Sequence, residues 1–298
     1  MQVADQRAVA GAPFTLTWQL VGADGEPVDP GTVLVTVRGS AGTAVVTGQA
    51  TTGTGTGPRQ YALTAAQTRQ IDVLSVDWTV GGDVYASHLV DVVGRLWFAN
   101  AELRAAEAAM SAAVNFTPAM IAVAREQVEA KIEQWCGQAF VPRFAVETFA
   151  ATSGPLLASV PTVRRVRWAE FLADDGTVLS TLTPAECAAI PGSDDTTITR
   201  SGGWSTGARV RVGYEHGQNV PPPGLKAAAM RLCREVLAKG KGGGLPENAI
   251  SYSSSELGWS AVLVTPGVRG AHTTIPEVNE QIDANTFSVP MAVSPGVY

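Results

Sequence analysis

Apolar and polar residues alternate through the first ninety positions of the chain. Phe14, Leu16 and Trp18 alternate with Thr15, Thr17 and Gln19, the period-two pattern of a half-buried strand. Asp24-Gly25 supplies a turn, and Val33, Val35 and Val37 put a second strand's apolar side on one face. Residues 44–46 predict a third strand, 51–58 a loop and 59–63 a return to strand. Thr64 with Gln67 three residues on has the spacing of a capping box around a single helical turn. Residues 73–80 form the strongest strand pattern, Gly81-Gly82 a hairpin turn, and 85–93 the closing strand. About seven short strands with regularly spaced turns predict an immunoglobulin-like β-sandwich over residues 1–94.

The period changes after Gly94. Asn100 is placed to cap a helix through Glu102, Leu103, Ala106, Glu107 and Met110. Thr117-Pro118 starts a second helix, in which Ile121, Ala124, Val128, Ile132 and Trp135 recur every three or four residues. Arg125, Glu126, Glu129 and Glu133 fall on its other faces, and Gly137 is a left-handed stop. Strands follow at 140–149, interrupted by Pro142, and at 163–172 and 177–182 around the turn Asp174-Asp175-Gly176. Thr183 with Glu186 predicts a short helix ending at Pro191, and 208–214 a further strand. Pro221-Pro222-Pro223 leads into a helix with Leu225, Ala229, Leu232 and Val236 on one face, ended by Gly240. Two single-striped helices bury their stripes most simply against each other. Residues 240–244 read as a hinge, and 245–298, rich in Ser, Gly, Thr and Pro, as an extended tail that orders on a neighbour. The predicted architecture is multidomain: an all-β immunoglobulin-like sandwich at 1–94, an α+β helical domain at 95–244 and an extended tail at 245–298.

Composition narrows the function classes. The 298 residues are 45% hydrophobic and 16% charged, a balance that suits folded domains. A net charge of −6 lacks the basic excess of a sequence-independent DNA binder. Cys136, Cys187 and Cys233 lie far apart with no ligand spacing, as reduced, buried thiols do in a cytosolic setting. No signal-peptide pattern opens the chain and no apolar run reaches membrane-spanning length, so no membrane partner is expected.

Candidate chemistry falls away residue by residue. The run Gly53-Thr54-Gly55-Thr56-Gly57 is followed by neither a helix nor a lysine, so a hairpin tip explains it better than a phosphate loop. His88, His216 and His272 fall in separate segments with no metal-ligand pairing. His88 reads as a strand-surface residue and His216 as a loop residue. No serine sits in a Gly-x-Ser-x-Gly elbow. Asp174-Asp175 and Asp194-Asp195 lie beside turn residues without calcium-loop spacing. Cys136, before a helix-ending glycine, reads as core. The chain is therefore expected to be no enzyme, with no catalytic, cofactor-binding or metal-binding residue and no cofactor.

The stretch Val128-Glu129-Ala130-Lys131-Ile132-Glu133-Gln134-Trp135-Cys136-Gly137-Gln138-Ala139-Phe140 resembles the signature helix of tailed-phage head–tail connector (adaptor) proteins. There a long helix ends in Cys-Gly or Thr-Gly, followed shortly by an aromatic residue. Further features agree in order: Val160-Pro161, the hairpin Asp174-Asp175-Gly176, the strand from Val210 to Tyr214 with Gly217 after it, the entry Val220-Pro221-Pro222, and Ile275-Pro276-Glu277-Val278. The resemblance covers residues 98–282. The sandwich and the continuation past Val278 to Tyr298 depart from the small members of the family.

The resemblance implies a structural virion protein of the phage neck, assembled in the bacterial host cytoplasm. It implies a homo-oligomeric ring of about twelve copies below the portal protein, forming part of the DNA channel between capsid and tail. Its partners would be the portal, the next neck or tail-completion protein and, transiently, genomic DNA. The tail would reach the portal or an adjoining subunit, with Trp259, Val262, Val264, Ile275, Pro276 and Val278 as its contact residues. Arg164, Arg165 and Arg167 are the conspicuous basic group, open to contact with DNA or an acidic portal patch, or to solvent as an ordinary strand face. The mild negative charge suits a conduit that must not hold its cargo tightly. A second reading makes the sandwich a carbohydrate- or cell-surface-binding module, with Trp78, Tyr85 and Trp97 as the aromatics that would stack on sugars, although the strand pattern favours the core for Trp78.

Overall fold

The computed structural model describes residues 6–106, 115–189, 196–239, 251–254, 259–262 and 272–287. It is a mixed α+β structure that divides into two compact units, Met1–Leu96 with Val141–Asn219, and Trp97–Phe140 with Val220–Tyr298.

The first unit begins with β1 (Gln6–Val9), β2 (Phe14–Trp18), β3 (Val33–Arg38), β4 (Ala44–Ala50), β5 (Arg59–Leu63), β6 (Asp72–Val80) and β7 (Asp83–Val93). One sheet runs β1-β7-β6-β3-β4, with β1 parallel to β7 and the other pairs antiparallel; β2 and β5 pair separately. The alternating positions meet between the two layers. Leu16 and Leu63 from the β2–β5 pair share a buried cluster with Val35, Val37, Val76, Trp78 and Val90 from the larger sheet. The capping box forms as its spacing predicts: the Thr64 N–H donates to Gln67 Oε1 at 2.8 Å, and the Gln67 N–H to Thr64 Oγ1 at 3.4 Å.

The same unit contains β8 (Arg143–Ala150), β9 (Leu156–Leu157), β10 (Val163–Leu172), β11 (Val178–Leu182), β12 (Cys187–Ala189), β13 (Thr197–Arg200) and β14 (Arg209–His216). A four-stranded antiparallel sheet runs β11-β10-β14-β8, beside a small sheet β12-β13-β9. Val166, Ala169, Ile198, Val210, Val212 and Tyr214 form its core. These strands lie between two helices in sequence yet fold with the N-terminal strands. The Gly94 N–H donates to the Pro142 carbonyl at 2.8 Å, and a Cβ at Gly94 would lie 2.9 Å from the Pro142 ring. Asp91 on β7 also bridges Arg143 on β8 at 3.3 Å and Arg7 on β1 at 3.8 Å, with all three side chains nearly buried. Thr183 and Glu186 make their capping hydrogen bonds, but the chain passes into β12 instead of the expected helix, since Cys187 is taken into the core. His216 is not in a loop: it ends β14 and is buried.

The second unit holds α1 (Asn100–Ala106), α2 (Pro118–Cys136), α3 (Pro223–Lys239), a hairpin of β15 (Ser251–Ser254) and β16 (Trp259–Val262), and α4 (Pro276–Ala284). Thr117 caps α2 by accepting from the Met120 N–H at 3.3 Å, and Gly137 ends it with φ 66°, a conformation that disfavours any Cβ. Leu103, Ile121, Val128, Ile132, Leu225, Ala229, Cys233, Val278 and Ile282 are buried, and α2, α3 and α4 pack on one another. Asn100 does not cap α1. Its Oδ1 accepts from Arg125 at 3.0 Å, while Glu102 reaches back to the Ala99 N–H at 2.7 Å. The rest of the expected first helix, Glu107 to Met110, lies outside the described residues, as do Gly240 to Gly244.

Two expectations about this unit need correction. Arg125, Glu129 and Glu133, on the faces away from the apolar stripe, are buried as well, so burial is not confined to the stripe. Each finds a partner: Glu129 accepts the Trp97 N–H at 3.1 Å, Glu133 accepts the Phe140 N–H at 3.3 Å, and Arg125 donates to the Phe98 carbonyl at 3.3 Å. Buried charge is tolerable only when hydrogen-bonded in this way. The segment after residue 245 is likewise not extended throughout, because it contains the β15–β16 hairpin and the docked helix α4.

Candidate functional site

The arginine group lies on β10, where irregular pairing with β14 between Val163 and Arg165 and again between Val166 and Trp168 interrupts strict alternation. Val163 and Val166 turn into the core while Arg164 and Arg165 stay exposed. Glu215, opposite Arg165 on β14, organises the group. Its Oε1 accepts from Arg165 Nη2 and from Arg167 Nη1, both at 2.6 Å. Arg167 also donates to Gln70 Oε1, and Arg164 Nη1 lies 3.4 Å from the Gly217 carbonyl. One carboxylate serves two guanidinium groups, so the cluster retains positive charge. Arg165, its side chain 62% exposed, and the exposed Arg164 present it to solvent. Further along the same sheet, Arg211 pairs with Glu170 at 2.5 Å and lies over the Trp168 ring. Gly213 makes room for that ring: a Cβ there would sit 2.3 Å from Trp168 Cε2.

The proposed contact residues of the C-terminal segment separate into three groups. Ile275 and Val278 are buried in the second unit's own core and are therefore not outward contacts, whereas Pro276 is exposed at the first turn of α4. Trp259 and Val262 are the first and last residues of β16, and Val264 lies outside the described residues. Several contacts hold α4 in place. The Cys136 thiol is 3.7 Å from the Ile282 carbonyl, the Phe287 N–H donates to the Cys136 carbonyl at 2.8 Å, and Gln138 donates to the Asn285 carbonyl at 2.6 Å. Before α4, Asn279 Oδ1 accepts from the His272 and Thr273 N–H groups at 3.0 and 2.7 Å. The Cys136–Gln138 end of α2 thus holds the C-terminal end of α4, while Ile275 and Val278 at the start of that helix are buried.

The reactive groups are tied up in structure. Burial, then the neighbouring Glu133 and Asp283, pushes the Cys136 thiol up to about 12, and burial raises Cys233 to about 11 and also raises Cys187. Such thiols stay protonated and poorly nucleophilic at neutral pH. Burial, aided by Arg143, lowers His216 to about 4. The Tyr214 hydroxyl is held by Glu147, and burial together with that carboxylate raises its pKa. His88 is not a plain surface residue, since its Nδ1 accepts the Trp78 indole N–H at 3.2 Å. Asp175 closes its turn by accepting the Thr177 N–H at 2.9 Å and hydroxyl at 2.7 Å; these bonds hold its carboxyl below the usual value. The pair Asp194-Asp195 lies outside the described residues.

At the glycine-rich tip, Arg59 donates to the Gly55 and Gly57 carbonyls at 3.1 and 3.2 Å and to Asp29 at 2.7 Å. Carbonyls turned toward a guanidinium have the opposite polarity to a phosphate cradle. Among the described residues no group of three or more His, Cys, Asp or Glu is placed to hold a metal ion, and no helix is long and apolar enough to cross a membrane.

No protein-family model and no curated protein matches the chain. Solved structures do. A chain from the virion of a native gene transfer agent (GTA) particle is 17% identical, with 50% of this chain and 82% of that one covered and a TM-score of 0.40. A chain from the neck of an empty GTA particle computed with C6 symmetry is 14% identical over 60% of this chain and 83% of that one, with a TM-score of 0.40. One from the neck of a native GTA particle computed with C12 symmetry is 15% identical over 61% and 92%, with a TM-score of 0.38. The likeness is distant, and all three neighbours are chains of GTA particles, one from a virion and two from necks.

Proposed function

We propose that the chain is a head-to-tail adaptor, a non-catalytic neck protein that forms a ring below a portal and lines part of the DNA channel. The observation that carries this is the ordered motif series from residues 98 to 282. It runs from the helix ending Cys136-Gly137, through Val160-Pro161 and the strand to Tyr214, to the Pro221-led helix and Ile275-Pro276. Its first member supports the reading by binding, through Cys136 and Gln138, the C-terminal end of α4, the helix that its last member opens. The likeness to GTA neck chains is in keeping with the proposal, which rests on the motif series. The N-terminal strands are proposed as an added immunoglobulin-like domain on the outside of the ring, and residues 245–298 as the part that makes inter-protein contacts.

The alternative of a sugar-binding module loses most of its platform. Trp78 and Trp97 are 0% and 1% exposed; of the three aromatics it needs, Tyr85 alone reaches solvent. Mass photometry and negative-stain imaging of the full chain, alone and mixed with its portal, test the proposal. Closed rings of uniform copy number are the expected result; a strict monomer under both conditions rejects it.

A further inference from the structure

The described surface carries two exposed faces of opposite charge and similar length, one in each compact unit. The helix α4 presents Glu277, Glu280 and Asp283 at successive spacings of three, all exposed, opposite the side that buries Val278 and Ile282. Residues 272–287 contain no lysine or arginine. Arg231 lies 3.5 Å from Glu277 and His272 3.8 Å from Asp283, and both carboxylates remain mostly exposed at 64% and 68%. At about 1.5 Å per residue the acidic stripe is about 9 Å long.

The opposing face is the Arg164–Arg165–Arg167 group, which at about 3.3 Å per residue spans about 10 Å of β10. Its counter-charge is the single buried carboxylate of Glu215, shared by two of the three guanidinium groups. The strands β8, β10 and β14 together carry six arginines against three glutamates, in a chain whose net charge is −6. The basic surface is therefore local, and the acidic excess lies elsewhere in the chain.

We propose that the solvent face of α4 in one copy docks on the arginine cluster of β10 in the next copy; this rests on the ring assembly proposed above. Complementary fields of this kind set orientation and speed encounter. Two unlike surfaces join copies head to tail, the arrangement that closes into a ring when the rotation permits. The guanidinium forks left over from Glu215 suit carboxylates, which they can bind through two hydrogen bonds each.

A charge swap tests the pairing. One variant combines Arg164→Glu with Arg165→Glu, a second combines Glu280→Lys with Asp283→Lys, and a third carries all four substitutions. Thermal melts of each variant establish that it is folded, and mass photometry at graded NaCl reads self-association. Each two-site variant is expected to weaken self-association on the order of tenfold or more, and the four-site chain to regain most of it. Unchanged assembly in both two-site variants overturns the pairing while leaving the ring intact. Loss in both without recovery in the four-site chain also overturns it. If the arginine variant assembles normally but is no longer retained by double-stranded DNA, the cluster contacts nucleic acid and the pairing is overturned. A wild-type chain that never self-associates removes both this inference and the ring.

Discussion

Replacing Ile282 by Ala tests whether the C-terminal helix is part of the second unit's core or a tail resting on it. Ile282 is 0% exposed on α4, and its carbonyl accepts from the Cys136 thiol at 3.7 Å. Truncating a fully buried isoleucine costs about 2–5 kcal/mol through lost burial and the cavity left behind. The loss falls on the docking of α4, because the substitution leaves the α2–α3 contact intact. At about 1.4 kcal/mol per factor of ten, undocking becomes between about thirtyfold and several thousandfold more populated.

The thiol reports this directly. Docked, Cys136 is buried and pushed up to about 12, so it barely reacts at neutral pH; undocked, it is exposed as an ordinary cysteine. Native-state labelling with a thiol reagent, read peptide by peptide by mass spectrometry, should show Cys136 accelerated by that factor. Cys187, in the core of the first unit, serves as the internal control. Labelling of Cys136 at the wild-type rate, with an unchanged urea midpoint, would refute the claim that α4 is docked through Ile282.

Two further outcomes follow from the first unit. Gly213→Ala should lower stability by about 1–3 kcal/mol, since the added methyl displaces the Trp168 ring from Phe144 and Arg211; a urea midpoint and tryptophan near-UV signal equal to wild type would contradict the close contact. His216, lowered to about 4 in the fold, is neutral there but takes up a proton in the unfolded chain near its ordinary value of about 6.5. Its contribution to stability is therefore complete above about pH 6.5 and is lost as the pH falls toward 4, by an order of about 3 kcal/mol. Urea midpoints across that window should fall in the wild type and flatten in His216→Gln; parallel slopes in the two proteins would refute the assignment.

Local pattern determined much of this protein. Alternation alone marks β2, β3, β6 and the hairpin into β7, because a strand with one buried face must place its apolar residues two apart. Thr117, Pro118 and Gly137 delimit α2, because caps act within a few residues of the bond they satisfy. Tertiary contact decided the rest. Nothing in residues 143–216 alone says that these strands join the N-terminal sheets, since that follows from Gly94 meeting Pro142 and from Asp91 holding Arg143. The polarity of Arg125, Glu129 and Glu133 suggests solvent. Their burial depends on the Phe98 carbonyl and on the N–H groups of Trp97 and Phe140, supplied from beyond the helix.

The C-terminal segment shows the same division between local and distant causes. Residues 276–284 carry only two strongly apolar side chains, too few to fold alone. Ile275 and Val278 were candidate outward contacts by sequence and are core residues in the fold, because α2 and α3 offer a surface that only the assembled unit possesses. The arginines of β10 were legible as a group, but their shared carboxylate was not. Glu215 lies about fifty residues further along the chain and reaches them only through the register of two antiparallel strands.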